Sequence, residues 1–399
     1  MPRLLPFACL VCALTACTSY TPTDVDRTVV IATIAEHPGG KFTLEQAGLL
    51  AMERNPELRA AFAAERAADA VIQPLMLEGE YRSGTEMLAL MADPIALLGP
   101  GPRGGAQRVD RAKVVEAFAE VHVAHWRVLG ELAELYAVDA ALAKLTVPSI
   151  EVDATPFAAS GLASTTQVAS LEASKAAVLA EHAALHRDRE TNRTRLRELL
   201  ALSPTATAEL EHGPWDRLGY EADSRHQLDR HPELWAAETR FRLADAEFRA
   251  AVADQWPTVM IGPEFSLMGG GLDWMSTLKM PLLAHGMAAA ARERRDVAHE
   301  RLRATWLKLT AEAEMATLEE TAMQAMAAAN SQRAAASAAA LRSATVAVQV
   351  DPDAFAMLAE AAAMAVEDAR MLREAKLAEA RATIRAGRAF GNPRISFVR

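Results

Sequence analysis

Between Thr258 and Leu283 the chain alternates between apolar and polar positions. Val259, Ile261, Phe265 and Leu267 stand among Thr258, Gly262, Glu264 and Ser266. Beyond Gly269-Gly270-Gly271, Leu272, Trp274, Leu278, Met280 and Leu282 stand among Asp273, Thr277 and Lys279. A period of two, with a glycine turn between its halves, predicts a β-hairpin over 258–283. Each arm is about 10 residues, the length of a tilted membrane-spanning strand. A second hairpin is predicted over 75–98. Leu75, Leu77 and Tyr81 oppose Glu78, Glu80 and Arg82, with Ser83-Gly84 as the turn. Its return arm does not alternate, because Leu88, Leu90 and Met91 fall on both faces, and it is assigned by analogy with the later hairpin.

Around the hairpins the sequence is written for helix. Alanine recurs among Glu, Arg and Leu, and alanine has the highest intrinsic helix propensity. Helices are predicted over 104–146, 165–201, 286–346 and 354–386, with breaks at 148–164 and 349–353. An earlier helix opens at Thr43-Leu44-Glu45-Gln46, with Thr43 as N-cap and Gln46 in capping-box spacing. Helices of about 35–60 residues are far above the ordinary globular mean. They have to pack along their length as coiled coils.

One plan is used twice. Asn55-Pro56-Glu57-Leu58 returns as His231-Pro232-Glu233-Leu234, and Ala68-Asp69-Ala70 returns as Ala244-Asp245-Ala246 at the same offset. Pro74 corresponds to Pro257, seven residues further on, so the second helix gains one heptad and keeps its buried face. The organisation read from this is a first repeat over 43–210, with hairpin 75–98, and a second over 222–391, with hairpin 258–283. A linker containing Pro204, Gly213-Pro214 and Gly219 joins them, and 392–399 is a short tail. The period is much longer than the roughly 20–50 residues of a solenoid, so it implies pseudo-symmetry within one assembly.

Charge and cysteine usage narrow the classes. Lys and Arg number 42 against 52 Asp and Glu, a net charge of −10, which argues against nucleic acid as a partner. After residue 16 no apolar run reaches the roughly 20 residues of a membrane-spanning helix. All three cysteines, Cys9, Cys12 and Cys17, lie in the first seventeen residues. Arg3 is a basic start, Leu4 to Leu14 an apolar region, and Leu14-Thr15-Ala16-Cys17 a small-residue cleavage site. This reads as a lipoprotein signal peptide over 1–16, followed by a lipidated tether over 17–42 anchored through Cys17. An ordinary signal peptide with a coincidental cysteine is the alternative. Thr18 in place of aspartate resembles the sorting signal of outer-membrane lipoproteins.

Four strands cannot close a membrane barrel, since the smallest have eight. Three copies supply twelve strands, and the long helices then continue as a hollow cylinder below the barrel. The competing arrangement is two short hairpins capping a helical bundle, with lipid contact through Cys17 alone.

At this point the chain resembles the TolC-like outer-membrane efflux protein family, in its lipoprotein branch. Thr43-Leu44-Glu45-Gln46-Ala47 followed by Asn55-Pro56-Glu57-Leu58 is similar to the family's opening. His231-Pro232-Glu233-Leu234 stands where the family has an Arg-Pro-Asp-Leu-like element, and Leu278-Lys279-Met280-Pro281-Leu282-Leu283 with Gly286 looks like its strand-to-helix exit. The resemblance spans about 43–391 and rests on order, spacing and duplication. It implies a mainly α fold with a small β part: long coiled-coil helical hairpins and four β-strands per chain, forming a homotrimer with a shared 12-stranded β-barrel and an α-helical tunnel. It also implies a passive duct of a tripartite export system, docked through a periplasmic adaptor protein to an inner-membrane transporter that supplies the energy.

By the same resemblance, two turns at the far end of the helical hairpins meet the adaptor. They correspond to Gly161, Leu162, Ala163 and Ser164, and to Val350 and Pro352. Gly161 permits the reversal, Ser164 or Thr165 caps the returning helix, and Pro352 suits a first helical turn. Asp351 and Asp353, multiplied by threefold symmetry, would ring the tunnel mouth with six carboxylates favouring cations. The resemblance implies an aperture gate there, while Asp353 also reads as a plain N-cap. His182 and His186 lie four apart, but residue 183 is Ala and the neighbours are charged, which reads as a solvated helix face. His122 and His125 read as surface or tunnel residues. Met315, Met323, Met326, Met357, Met364 and Met371 read as helical-core filler, ahead of a metal relay. No metal site and no cofactor beyond the lipid on Cys17 is expected. Without a Ser/His/Asp order, a phosphate-cradling loop or a CxxC, catalysis is not expected either. The rival function is a non-conducting outer-membrane lipoprotein serving as a periplasmic coiled-coil scaffold; a secretion duct for peptides or proteins is a third.

Overall fold

The helical body opens on a capping box. Gln46 N–H donates to Thr43 Oγ1 (3.2 Å) and Thr43 N–H donates to Gln46 Oε1 (3.0 Å), which starts α1 (Leu44–Arg54). The computed structural model describes residues 39–70, 77–82, 87–92, 105–212, 228–256, 258–266, 272–279 and 284–391. Cys17, the turns at Ser83-Gly84 and Gly269–Gly271, the linker glycines Gly213 and Gly219, Pro74, Pro257 and the tail 392–399 lie outside the described residues.

The elements run β1 (Gly39–Phe42), α1, α2 (Pro56–Ala70), β2 (Leu77–Arg82), β3 (Met87–Ala92), α3 (Gly105–Lys144), α4 (Thr155–Ala159), α5 (Thr165–Leu199) and β4 (Thr207–Leu210). They continue with α6 (Pro232–Ala253), β5 (Thr258–Ser266), β6 (Leu272–Lys279), α7 (Ala284–Val350), a 3₁₀ turn (Pro352–Ala354) and α8 (Phe355–Ala389). At 67 residues α7 is about 100 Å long. Among the described residues no helix is long and apolar enough to cross a membrane.

The recurring Pro-Glu-Leu element starts a helix both times. Asn55 Oδ1 accepts from Glu57 N–H (3.0 Å) and Leu58 N–H (3.3 Å), capping α2. His231 Nδ1 accepts from Glu233 N–H (3.2 Å), capping α6. In each case proline fills the first helical position, where its missing N–H costs nothing, and Leu58 or Leu234 is buried one turn in. α2 is described as far as Ala70, and α6 runs for 22 residues to Ala253.

The two hairpins join into one antiparallel sheet of order β2-β3-β5-β6. Thr258 pairs with Lys279 and Phe265 with Leu272 inside the second hairpin, while Leu88 pairs with Phe265 to connect the two. β3, whose sequence does not alternate, holds a central place between β2 and β5. β2 and β6 are the edges, and neither has a further partner among the described residues.

Two expectations need correction. The tether over 17–42 was not expected to join the body, yet its last residues, Gly39–Phe42, form β1, parallel to β4, with Gly39 opposite Thr207 and Phe42 opposite Leu210. Gly39 has φ +79°, and a Cβ there would fall 2.1 Å from the Thr207 carbonyl oxygen, so only glycine allows the approach. Phe42, Ala208 and Leu210 then bury against Leu58, Leu132 and Leu196, closing the core where α1, α3 and α5 meet. The break at 148–164 is likewise not all loop, since it contains α4.

Candidate functional site: the helical tips

Two reversals at one end of the molecule carry most of the predicted site residues. In the first, Asp153 Oδ1 accepts from Thr155 N–H (2.9 Å) and Thr155 Oγ1–H (2.7 Å), fixing the entry to α4. The backbone hydrogen bond from Thr155, then the hydroxyl one, hold the Asp153 carboxyl below its ordinary range. Leu162 N–H and Ala163 N–H both donate to Phe157 C=O (3.1 Å each), and Gly161 adopts φ +73° to make the turn. Ser164 caps α5 with a second capping box: Gln167 N–H donates to Ser164 Oγ (3.2 Å) and Ser164 N–H to Gln167 Oε1 (2.8 Å). Ser164, not Thr165, is therefore the cap.

In the second reversal α7 ends at Val350. Asp351 N–H donates to Ala347 C=O (2.8 Å), and Asp351 Oδ1 accepts from Asp353 N–H (3.0 Å). The capping carboxylate is thus Asp351. Asp353 caps nothing; the residue before α8 is Ala354, which makes no side-chain cap. The reason is spacing: the 3₁₀ turn Pro352–Ala354 intervenes, so the aspartate two residues before Phe355 is already inside it.

The two reversals are packed together. Phe157 of α4 stacks on Phe355 at the start of α8, with ring centres 5.1 Å apart. Phe355 is fully buried in a cluster with Ala163, Leu171, Val348 and Leu358. Of the predicted tip residues, Gly161, Leu162, Ser164, Val350, Asp351 and Asp353 are exposed, Val350 by 83%. Ala163 differs, because its side chain faces the cluster and its role is packing. Pro352 opens the 3₁₀ turn. The tip therefore presents two apolar side chains, Leu162 and Val350, together with two carboxylates.

Behind the tips the helices are tied by charge. Arg373 of α8 donates through Nε to Glu181 Oε1 (2.5 Å) and through Nη1 to Asp188 Oδ2 (2.6 Å), both on α5. Burial works against the guanidinium charge here, and the hydrogen bonds and charges of the two carboxylates outweigh it, raising its pKa further. One turn nearer the tip, Arg333 of α7 pairs with the nearly buried Asp368 of α8 (3.1 Å). Neither pair is visible in sequence spacing. Asp153 was missed too, although Asp153-Ala154-Thr155-Pro156 carries a cap-and-proline signal.

His182 and His186 are exposed on α5, and among the described residues no group of three His, Cys, Asp or Glu side chains could hold a metal. His122 is exposed, whereas His125 is half-buried, and burial followed by the charge of His122 holds its pKa down. The methionine expectation is overturned in part. Met315, Met326, Met357 and Met364 are exposed on the single chain, while Met323 and Met371 are half-buried. On α7 Met315 and Met326, and likewise Leu307 and Leu318, stand 11 residues apart, three turns and so the same face.

No family model matches the chain, and no curated protein matches it in sequence. Solved structures do match it in fold. The MtrE outer membrane channel of Neisseria gonorrhoeae, in its open state, is 16% identical with a TM-score of 0.67, covering 88% of this chain and 89% of its own. CusC, in a study of transmembrane channel formation, is 15% identical with a TM-score of 0.68, covering 94% and 99%. The Campylobacter jejuni CmeC outer membrane channel is 13% identical with a TM-score of 0.64, covering 94% and 90%. The chain shares the fold of these solved channels, over 88–94% of its length.

Proposed function

We propose that three copies of this chain form the outer-membrane channel of a tripartite efflux or export system, a passive duct fed by an inner-membrane transporter through a periplasmic adaptor. The observation that carries the reading is the four-stranded sheet β2-β3-β5-β6, whose two edges have no partner among the described residues. An open edge in lipid costs several kcal/mol for each unpaired backbone group. Joining β6 of one copy to β2 of the next removes all the edges at twelve strands. Two further features support it. The exposed same-face pairs Met315/Met326 and Leu307/Leu318 on α7 give a neighbouring copy an apolar seam to cover. The structures of like fold are outer membrane channels in their own right.

In this reading the driving energy comes from the transporter, and the chain itself performs no chemistry. A lipid on Cys17 anchors it to the outer membrane, with the helices extending into the periplasm. The tips receive the adaptor through Gly161, Leu162, Ser164, Val350 and Pro352. Asp351 and Asp353 ring the aperture. Deleting the 258–283 hairpin tests the reading against the scaffold alternative. A duct loses both export in cells and conductance in planar bilayers, whereas a scaffold tethered through Cys17 keeps its cellular role.

A further inference from the structure

The helices beside the sheet stand in the same order as its strands. α2 leads into β2, α3 follows β3, α6 leads into β5 and α7 follows β6. α2 packs on α3, α3 on α6 and α6 on α7. The row therefore ends in α2 and α7, as the sheet ends in β2 and β6. The joint in the middle of the row, α3 on α6, is where the first repeat meets the second.

Comparing the repeats shows what the ends lack. Aligned on Pro-Glu-Leu, Pro56, Ala60 and Ala63 of α2 are the counterparts of Pro232, Ala236 and Thr239 of α6. The three α6 residues are buried, Ala236 in a cluster with Ala119 and Val123 of α3. The three α2 residues are exposed, and Leu58 alone is buried in that helix. The same helix face is thus covered in one repeat and bare in the other. On α7 a bare face carries Val297, Ala304 and Met315, the first and last of them 18 residues or five full turns apart. It lies on the far side of the helix from Ala291, Leu309 and Ala313, which are buried.

We propose that α7 of one copy packs on α2 of the next, repeating between copies the joint that α3 and α6 make within the chain. The proposal rests on the channel reading, in which joining β6 to the next copy's β2 brings the helices that continue from those strands side by side. A carboxylate sets the level. Glu233 of α6 pairs with Arg127 of α3 (3.5 Å) and with Lys308 of α7 (3.8 Å), so these residues lie at one height. Glu57, the exposed counterpart of Glu233, comes to Lys308 of the neighbouring copy. α2 runs toward the strands and α7 away from them. Counting from that pair in opposite directions puts Ala60 beside Ala304 and Ala67 beside Val297, to within one residue or about 1.5 Å. The repetition is incomplete at one point. Arg240, which pairs with Glu116 and Glu120 of α3, is Ala64 in α2, so the joint between copies lacks that ion pair.

The test is disulfide cross-linking of the full chain in membranes, since every native cysteine lies in the first seventeen residues. Two singly substituted and differently tagged copies, Ala60→Cys and Ala304→Cys, are co-expressed, mildly oxidised with copper phenanthroline and run on non-reducing gels. A product carrying both tags is expected, and likewise for Ala67→Cys with Val297→Cys. Ala60→Cys with Val297→Cys is seven residues out of register, about 10 Å, and should cross-link at least tenfold less. All four positions are exposed on the single chain, so the substitutions leave its own core untouched. The native mass of the same preparations separates the two claims. A trimer that cross-links at neither matched pair, or equally in and out of register, overturns the helix pairing alone. A monomer overturns the channel reading and the pairing with it.

Discussion

Arg373 of α8 reaches across to Glu181 of α5 at 2.5 Å, and the two side chains are only 12% and 7% exposed. The pair, with Asp188 completing it, fastens a helix of the first half of the chain to one of the second. Removing one member of a buried pair leaves the other charge uncompensated, which costs about 3–5 kcal/mol. Arg373→Leu strands two carboxylates and is expected to destabilise the protein by about 3 kcal/mol. Arg373→Lys recovers only part of this, because an ammonium cannot match both carboxylates with the guanidinium's fixed fork. Chemical denaturation of the three proteins side by side checks the ranking. Equal stabilities for wild type and Arg373→Leu would mean the pair holds nothing.

The N-cap of α6 makes stability depend on pH. His231 is buried, and burial pushes its pKa below the usual value of about 6.5, against the pull of Glu233 and the Arg388 backbone. Its Nδ1 has to stay unprotonated to accept from Glu233 N–H. The unfolded chain therefore binds the proton more readily, and stability present above about pH 6.5 is lost as pH falls toward the depressed folded value. His231→Asn keeps a capping acceptor without titrating. The gap between wild type and His231→Asn should close as pH drops from 7.5 to 5.5. Glu116 and Glu320, whose pKa values burial raises, act in the opposite sense, so the difference between the two proteins is the readout rather than either curve. A gap constant with pH would contradict the account.

At the tips, shape and partner contact are separable. Phe355→Ala removes the fully buried ring that joins the two reversals and is expected to cost about 3–4 kcal/mol. Ser164→Ala loses one half of a capping box and costs about 1 kcal/mol. Leu162→Ser and Val350→Ser lie on exposed positions and should leave stability within about 0.5 kcal/mol. If the tips receive the adaptor, the two serine variants abolish export while the trimer and its conductance persist. Unchanged export in both would remove these residues from the contact.

Asp351 and Asp353 can be tested by charge alone. Asp351→Asn retains an acceptor for Asp353 N–H and so keeps the turn. The double variant Asp351→Asn/Asp353→Asn should lower cation over anion selectivity in planar bilayers, seen as a reversal potential shifted toward zero in a salt gradient. An unmoved reversal potential would place the aspartates away from the conducting path.

What the sequence disclosed was local. Thr43 with Gln46, and Ser164 near its glycine turn, announce helix starts within four residues. The Pro-Glu-Leu element marks two N-caps because proline and a preceding acceptor are needed at the same place each time. The second hairpin was legible from its alternation, and the first from half of it. β1 and β4 were not legible: four residues each, 168 positions apart, they exist because a glycine at Gly39 lets two short segments approach over a core. The Arg373 ties were hidden for the same reason, since exposed-looking charges on two helices acquire meaning only when the helices are laid together. The exposed methionines of α7 were misread because helical spacing alone does not tell which face of so long a helix packs against its neighbours in the chain.

The native mass of the protein extracted from membranes in mild detergent tests the central claim most directly. The account predicts a lipidated trimer, because only shared strands remove the edges of β2 and β6. A stable monomer would contradict it, since four strands cannot seal themselves in lipid.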